Sequence, residues 1–122
     1  MPTLVYFGDN QDYSKLIEYF LRDVAGESFR VETINTSEPQ TAIGQYWNNE
    51  SAAVVVVEYP QDTPAIIQQL REHPNFGKAI LSVITSRYKH YQALTNETTL
   101  IGDKTDILSM LEAALLQYRA PE

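Results

Sequence analysis

The sequence predicts an α/β protein: a parallel sheet with helices packed on both faces. Two observations carry this. Apolar, β-branched runs of strand length alternate with helix-periodic segments five times along 122 residues, the pattern of repeated βα units joined by right-handed crossovers. The runs in the middle of the chain, Ala53–Val57 and Ala79–Ile84, are almost continuously apolar, as strands buried on both faces must be.

Each element follows in order. Thr3–Phe7 reads as the first strand, closed by the turn-forming cluster Gly8-Asp9-Asn10. Tyr13, Leu16, Ile17, Phe20, Leu21 and Val24 recur at helical spacing, with Gly26 as the stop. Phe29–Ile34 alternates apolar with polar residues, which suits a strand near the sheet edge. A helix is expected from Glu38 to Trp47, closed by Asn48-Asn49. The valine-rich strand ends at Glu58, and Tyr59–Asp62 forms a loop. Thr63-Pro64 reads as an N-cap followed by proline in the first turn, with Ile66, Ile67 and Leu70 as the buried face and His73-Pro74 as the end. After the strand Ala79–Ile84, Arg87–Leu94 is expected to be a short polar helix. Thr98–Ile101 is the last strand. Gly102-Asp103-Lys104 turns the chain, and Thr105 or Asp106 caps a helix with Ile107, Leu108, Leu111, Ala114, Leu115 and Tyr118 inside.

Composition narrows the function classes. At 43% hydrophobic residues the chain builds one packed domain spanning residues 1–122. A formal net charge of −7 argues against direct nucleic-acid binding or an anionic membrane surface. No apolar run is long enough to span a bilayer. The absence of cysteine excludes disulfides, thiolate metal sites and cysteine nucleophiles, and it fits a cytoplasmic setting.

In an open parallel sheet, ligands and catalytic groups gather at the carboxyl ends of the strands. Here those ends carry Asp9, Glu58, Thr85 and Lys104. This arrangement resembles the receiver domain of two-component response regulators over essentially the whole chain. The segment "TLVYFGDNQ" is similar to the family's first strand and acidic pair, usually I-L-I-V-D-D-N-P, with Gly8 on the first acid and Asp9 on the second. Glu58 falls on the phosphoacceptor aspartate. Thr85 in "SVITS" falls on the switch hydroxyl, Lys104 in "LIGDKTD" on the lysine, and Ile101 on the aromatic switch residue. The resemblance implies a single flavodoxin-like (βα)5 three-layer sandwich with strand order 2-1-3-4-5.

The departures from that pattern bear on function. Aspartyl phosphorylation needs an in-line carboxylate and Mg²⁺. Gly8 removes one expected acid. Glu58 moves the nucleophilic oxygen by about one bond length, and an error of ~1 Å can cost ~100-fold in rate. The expected role is therefore a non-enzymatic pseudo-receiver that signals by protein contact, without a cofactor. Mg²⁺ would be held only weakly, by Asp9 with Glu58. The alternatives are a phosphorylation-competent receiver in a phosphorelay and a small flavodoxin-like enzyme or FMN binder. The acidic loop after the first strand disfavours a flavin phosphate.

Individual residues keep two readings. Glu58 either projects charge where a phosphoryl group would sit or pairs with Lys104. The pairing is preferred, because one carboxylate carries less charge than a phosphate. Asp9 is a metal ligand or a turn and capping residue. Thr85 is a switch hydroxyl or the cap of the next helix. His73 and His90 read as solvated, and Trp47 as a core or rim residue. Arg87, Tyr88, Lys89 and Tyr91 form the one locally basic, aromatic stretch and read as a partner surface. The partners implied are a histidine kinase, an output domain or another regulator, with weak homodimerisation at the same face.

Overall fold

The valine and isoleucine runs do what continuous β-branched sequence dictates: they form the centre of a five-stranded, all-parallel sheet in order β2-β1-β3-β4-β5. The computed structural model describes residues 2–9, 15, 16, 19 and 29–117, the side chains of 104, 107 and 115–117 excepted. Its strands are β1 (Thr3–Gly8), β2 (Arg30–Asn35), β3 (Val54–Glu58), β4 (Ile80–Ile84) and β5 (Thr99–Gly102). Every residue of β1, β3 and β4 is buried, whereas β2 alternates exposed and half-buried positions at the sheet edge. Each fully buried valine or leucine contributes about 1.5–3 kcal/mol relative to exposure.

Three helices are described: α1 (Pro39–Gln45), α2 (Thr63–Glu72) and α3 (Ile107–Gln117). They sit on opposite faces of the sheet. Val5, Phe7, Val55, Val57 and Leu81 pack against Ile43 of α1 and Ile66 and Leu70 of α2. Leu4, Tyr6, Val54, Val56, Ile80 and Ile84 pack against Leu111 and Ala114 of α3. This is the three-layer, flavodoxin-like sandwich. The helix expected over Tyr13–Val24, its stop at Gly26, and Tyr118 lie outside the described residues, except that Lys15, Leu16 and Tyr19 are helical.

Several local expectations need correction. Asp62, not Thr63, caps α2: its carboxylate accepts the Ala65 N–H at 3.1 Å, so the side chain that reaches the free N–H stands one residue earlier. Leu108 of α3 is 37% exposed rather than inside. The polar helix expected at Arg87–Leu94 is a series of turns ending in a three-residue 3-10 helix, Gln92–Leu94. Here side chains satisfy local carbonyls: Gln92 Nε2 donates to Tyr88 O at 3.2 Å and Thr95 Oγ1 to Gln92 O at 2.7 Å. Such bonds compete with helix. Asp106 likewise turns back, its carboxylate accepting the Asp103 N–H at 3.2 Å.

The loops at the amino ends of the central strands are tied by polar networks. The buried Asn75 accepts the Asn48 N–H at 3.1 Å and donates to Asn48 O and Glu50 O at 2.8 and 3.1 Å. His73 is half-buried rather than solvated. Its Nδ1 accepts the Asn75 N–H at 3.0 Å, so Nε2 carries the proton and donates to Tyr46 O at 3.0 Å. The His73 ring stacks on Phe76, 4.5 Å between centroids. Trp47, next to this cluster in sequence, is 70% exposed and belongs to neither core layer.

Tyr46 links the cluster to the edge strand. Its hydroxyl donates to Glu32 at 2.9 Å. Burial raises the Tyr46 phenol above its ordinary value of 10.0; a hydrogen bond from Asn48 opposes this, and the acceptor and charge of Glu32 reinforce it. The neutral phenol is thus favoured by folding. Its stabilisation is complete below the unfolded value and is lost as pH rises through the higher folded value. The stability difference between wild type and Tyr46→Phe is therefore expected to hold at neutral pH and shrink above pH 10.0. Denaturation midpoints across that range check it. A difference independent of pH would show that the phenol is not coupled to folding.

Candidate functional site

The parallel registers bring four strand ends to one edge of the sheet. Phe7 pairs with Val57, so Gly8 lies beside Glu58. Glu58 pairs with Ile84, and Ile84 pairs with Gly102. Thr85 follows directly, its N–H bonded to Gly102 O at 2.9 Å. Lys104 opens the 3-10 turn after β5. Asp9, Glu58, Thr85 and the Lys104 backbone therefore share the carboxyl edge. The Lys104 side chain, and with it the expected Glu58–Lys104 pairing, lies outside the described residues.

The partner seen for Glu58 is one that sequence reasoning missed. Side chains two apart on a strand share a face, so Tyr6 points to the same side as Gly8. The Tyr6 hydroxyl donates to Glu58 Oε2. Tyr6 is fully buried and Glu58 is 5% exposed. The pair fills the space over Gly8: a Cβ there would meet Tyr6 Cε1 at 2.8 Å and both Glu58 Oε2 and the Tyr6 hydroxyl at 2.9 Å. Glycine at position 8 and the Tyr6–Glu58 bond are thus one packing solution. The signal was present: a tyrosine buried in a central strand requires a hydroxyl partner, and a carboxylate at the neighbouring strand end was the nearest candidate.

Asp9 is exposed. Among the described residues, no group of three or more His, Asp or Glu side chains is placed to hold a metal ion. Thr85 is buried, and its hydroxyl accepts the Arg87 N–H at 3.2 Å; it shapes a turn, since no helix follows it to cap. Ile101 is 8% exposed on β5, opposite Val83. Arg87 and Lys89 are exposed, and Tyr88 and Tyr91 half-buried. Lys89 Nζ lies 6.0 Å from the Tyr88 ring centroid.

Tyr59 marks the edge as strained. It is non-glycine with φ 51°, directly before the buried Pro60, and its N–H bonds to Ile84 O at 2.7 Å. A left-handed residue before proline is disfavoured, and such strain persists only where the surrounding structure imposes it.

No family model matches this chain, and no curated protein matches it. A solved structure does: the crystal structure of a sensor protein from Polaromonas sp. JS666, with TM-score 0.66 at 17% identity, covering 96% of this chain and 94% of that one. At that identity the likeness shows the fold, a five-stranded parallel α/β sandwich along nearly its whole length. Among the described residues no helix is long and apolar enough to cross a membrane.

Proposed function

We propose that this chain is a pseudo-receiver: a cytoplasmic signalling module that acts by protein contact and has given up aspartyl phosphorylation. The observation that carries the reading is the Tyr6–Glu58 hydrogen bond over Gly8. Phosphoryl transfer at this edge needs a free carboxylate and room for Mg²⁺ with its phosphoryl oxygens. Here the Tyr6 phenol fills the space over Gly8, where the first acid of the resembled pattern would stand, and the Glu58 carboxylate accepts its hydrogen bond. The same bond favours a structural Glu58 over a mimic of a phosphorylated state. The Polaromonas neighbour is called a sensor protein, and a sensing role fits the same class of function.

Contact would run through the face that carries Arg87, Tyr88, Lys89 and Tyr91, with a histidine kinase, an output domain or another regulator as partner. The chemistry is tested by incubating the protein with acetyl phosphate and Mg²⁺ and weighing it intact. No phosphoryl adduct is expected. An adduct that disappears in Glu58→Gln would overturn the reading.

A further inference from the structure

We propose that β2 is a dimerisation edge: two copies of this chain pair their β2 strands antiparallel, about a two-fold axis at Thr33. The contact is independent of the pseudo-receiver reading. It lies at the edge of the sheet opposite β5 and leaves the face around Tyr88 open to a partner. β2 pairs with β1 residue for residue, from Thr3 and Arg30 to Gly8 and Asn35, without a bulge. Arg30 N–H donates to Pro2 O at 2.8 Å and Thr36 N–H to Gly8 O at 2.9 Å. Backbone groups of successive strand residues point to opposite sides, so Arg30, Glu32, Ile34 and Thr36 bond inward to β1. The N–H and C=O groups of Val31, Thr33 and Asn35 therefore face outward, and among the described residues no backbone partner meets them there.

Proteins blunt such edges with short strands, bulges, proline or charge. The other edge of this sheet is blunted: β5 has 4 residues, and Asn96 folds back on Thr99 at its start. β2 has 6 residues, neither proline nor lysine among them. Its acid, Glu32, accepts the Tyr46 hydroxyl at 2.9 Å, and its base, Arg30, stands at the strand's start. Thr33 and Asn35 are exposed and Val31 is half-buried. Register selects a second copy as the occupant. When Thr33 opposes Thr33 and Val31 opposes Asn35 of the other copy, every outward group of both strands finds a partner. Glu32 then faces Ile34 and Arg30 faces Thr36, with no like charges opposite. A slip of two residues one way sets Glu32 against Glu32. A slip the other way sets Val31 against Ser37, beyond the strand. A two-fold axis produces the full match from a single sequence. Each copy carries a net charge of −7, so the copies repel at long range and salt screens the repulsion.

Sedimentation of the whole chain is expected to show a monomer–dimer equilibrium that tightens as salt rises. Thr33→Lys and Thr33→Glu each set like charges across the axis and should weaken dimerisation about tenfold or more, with circular dichroism unchanged. An equimolar mixture of the two should restore it, because lysine then faces glutamate. If either charged variant does not fold, Thr33→Pro decides: it removes an outward N–H, spares the β1 ladder and should abolish the dimer. A monomer at every concentration up to about 1 mM, a dimer that loosens as salt rises, a dimer indifferent to the folded variants, or a mixture that stays monomeric would overturn the proposal. Each of those results would leave the pseudo-receiver reading intact, whereas a phosphoryl adduct on Glu58 would remove that reading without touching the edge.

Discussion

Gly8→Asp is expected to destabilise the protein by about 3 kcal/mol or more, lowering Tm by at least about 10 °C. The new Cβ alone meets the Tyr6 ring and the Glu58 carboxylate at 2.8–2.9 Å. Both neighbours are buried, so neither moves into solvent. The aspartate then adds a second carboxylate beside Glu58, and like charges out of water repel strongly. The double change Gly8→Asp with Glu58→Asp, which would restore a receiver-like acid pattern on paper, leaves the Tyr6 ring in place. It is expected to remain unphosphorylated. Two of the three contacts belong to Tyr6, so the effects should be coupled. In a Tyr6→Leu background, Gly8→Asp is expected to cost at least about 1 kcal/mol less. Urea denaturation of the four proteins completes the cycle; additivity within about 0.5 kcal/mol would show that Tyr6 does not control position 8.

The second large effect is expected at Arg71, at the opposite end of the sheet. From the last turn of α2 its guanidinium donates to Gly77 O and Ala79 O at 3.2 and 2.8 Å. It also donates to Thr98 O, Thr98 Oγ1 and Thr99 Oγ1 at 2.9, 3.0 and 2.9 Å. One side chain thus joins a helix end, the entry to β4 and the entry to β5. Burial lowers the Arg71 pKa below its ordinary value, and the group stays charged at neutral pH. Charge-assisted bonds are worth about 1.5–3 kcal/mol, and buried acceptors left without donors add to the loss. Arg71→Met keeps most of the stem's packing and is expected to lose about 3 kcal/mol. Arg71→Lys should recover little, because an ammonium lacks the planar fork that reaches separated acceptors. Urea midpoints measure both. A loss under about 1 kcal/mol in Arg71→Met would mean that water replaces the guanidinium without penalty.

The parts of this fold that were legible are those where burial writes itself into sequence. Val54–Val57 and Ile80–Ile84 needed no partner to be recognised, and the alternation around Arg30–Asn35 placed β2 at an edge. The strand-end positions of Asp9, Glu58, Thr85 and Lys104 followed from the same runs. What went unread were bonds made across distance. Tyr6 and Glu58 are 52 positions apart, and in a strand the tyrosine reads as one more large apolar residue. The crossover after β4 failed for a different reason. Its polar spacing serves a helix or a chain of turns equally, and Gln92 and Thr95 decide locally for turns. His73 looked solitary because its partners, Asn75 and the Tyr46 carbonyl, are a neighbour's backbone and a distant one.

The interlock over Gly8 also constrains how this sequence can drift. An acid at position 8 collides with Tyr6 unless the tyrosine has already gone. Losing the tyrosine first removes the hydroxyl that Glu58 bonds. Shortening Glu58 to aspartate first draws its carboxylate away from that hydroxyl. Each single step toward an acid-rich edge is uphill, while the three together are compatible. Selection acting one substitution at a time therefore meets a valley on every side. The edge behaves as a ratchet: the packing of Tyr6 and Glu58 over Gly8 holds itself in place.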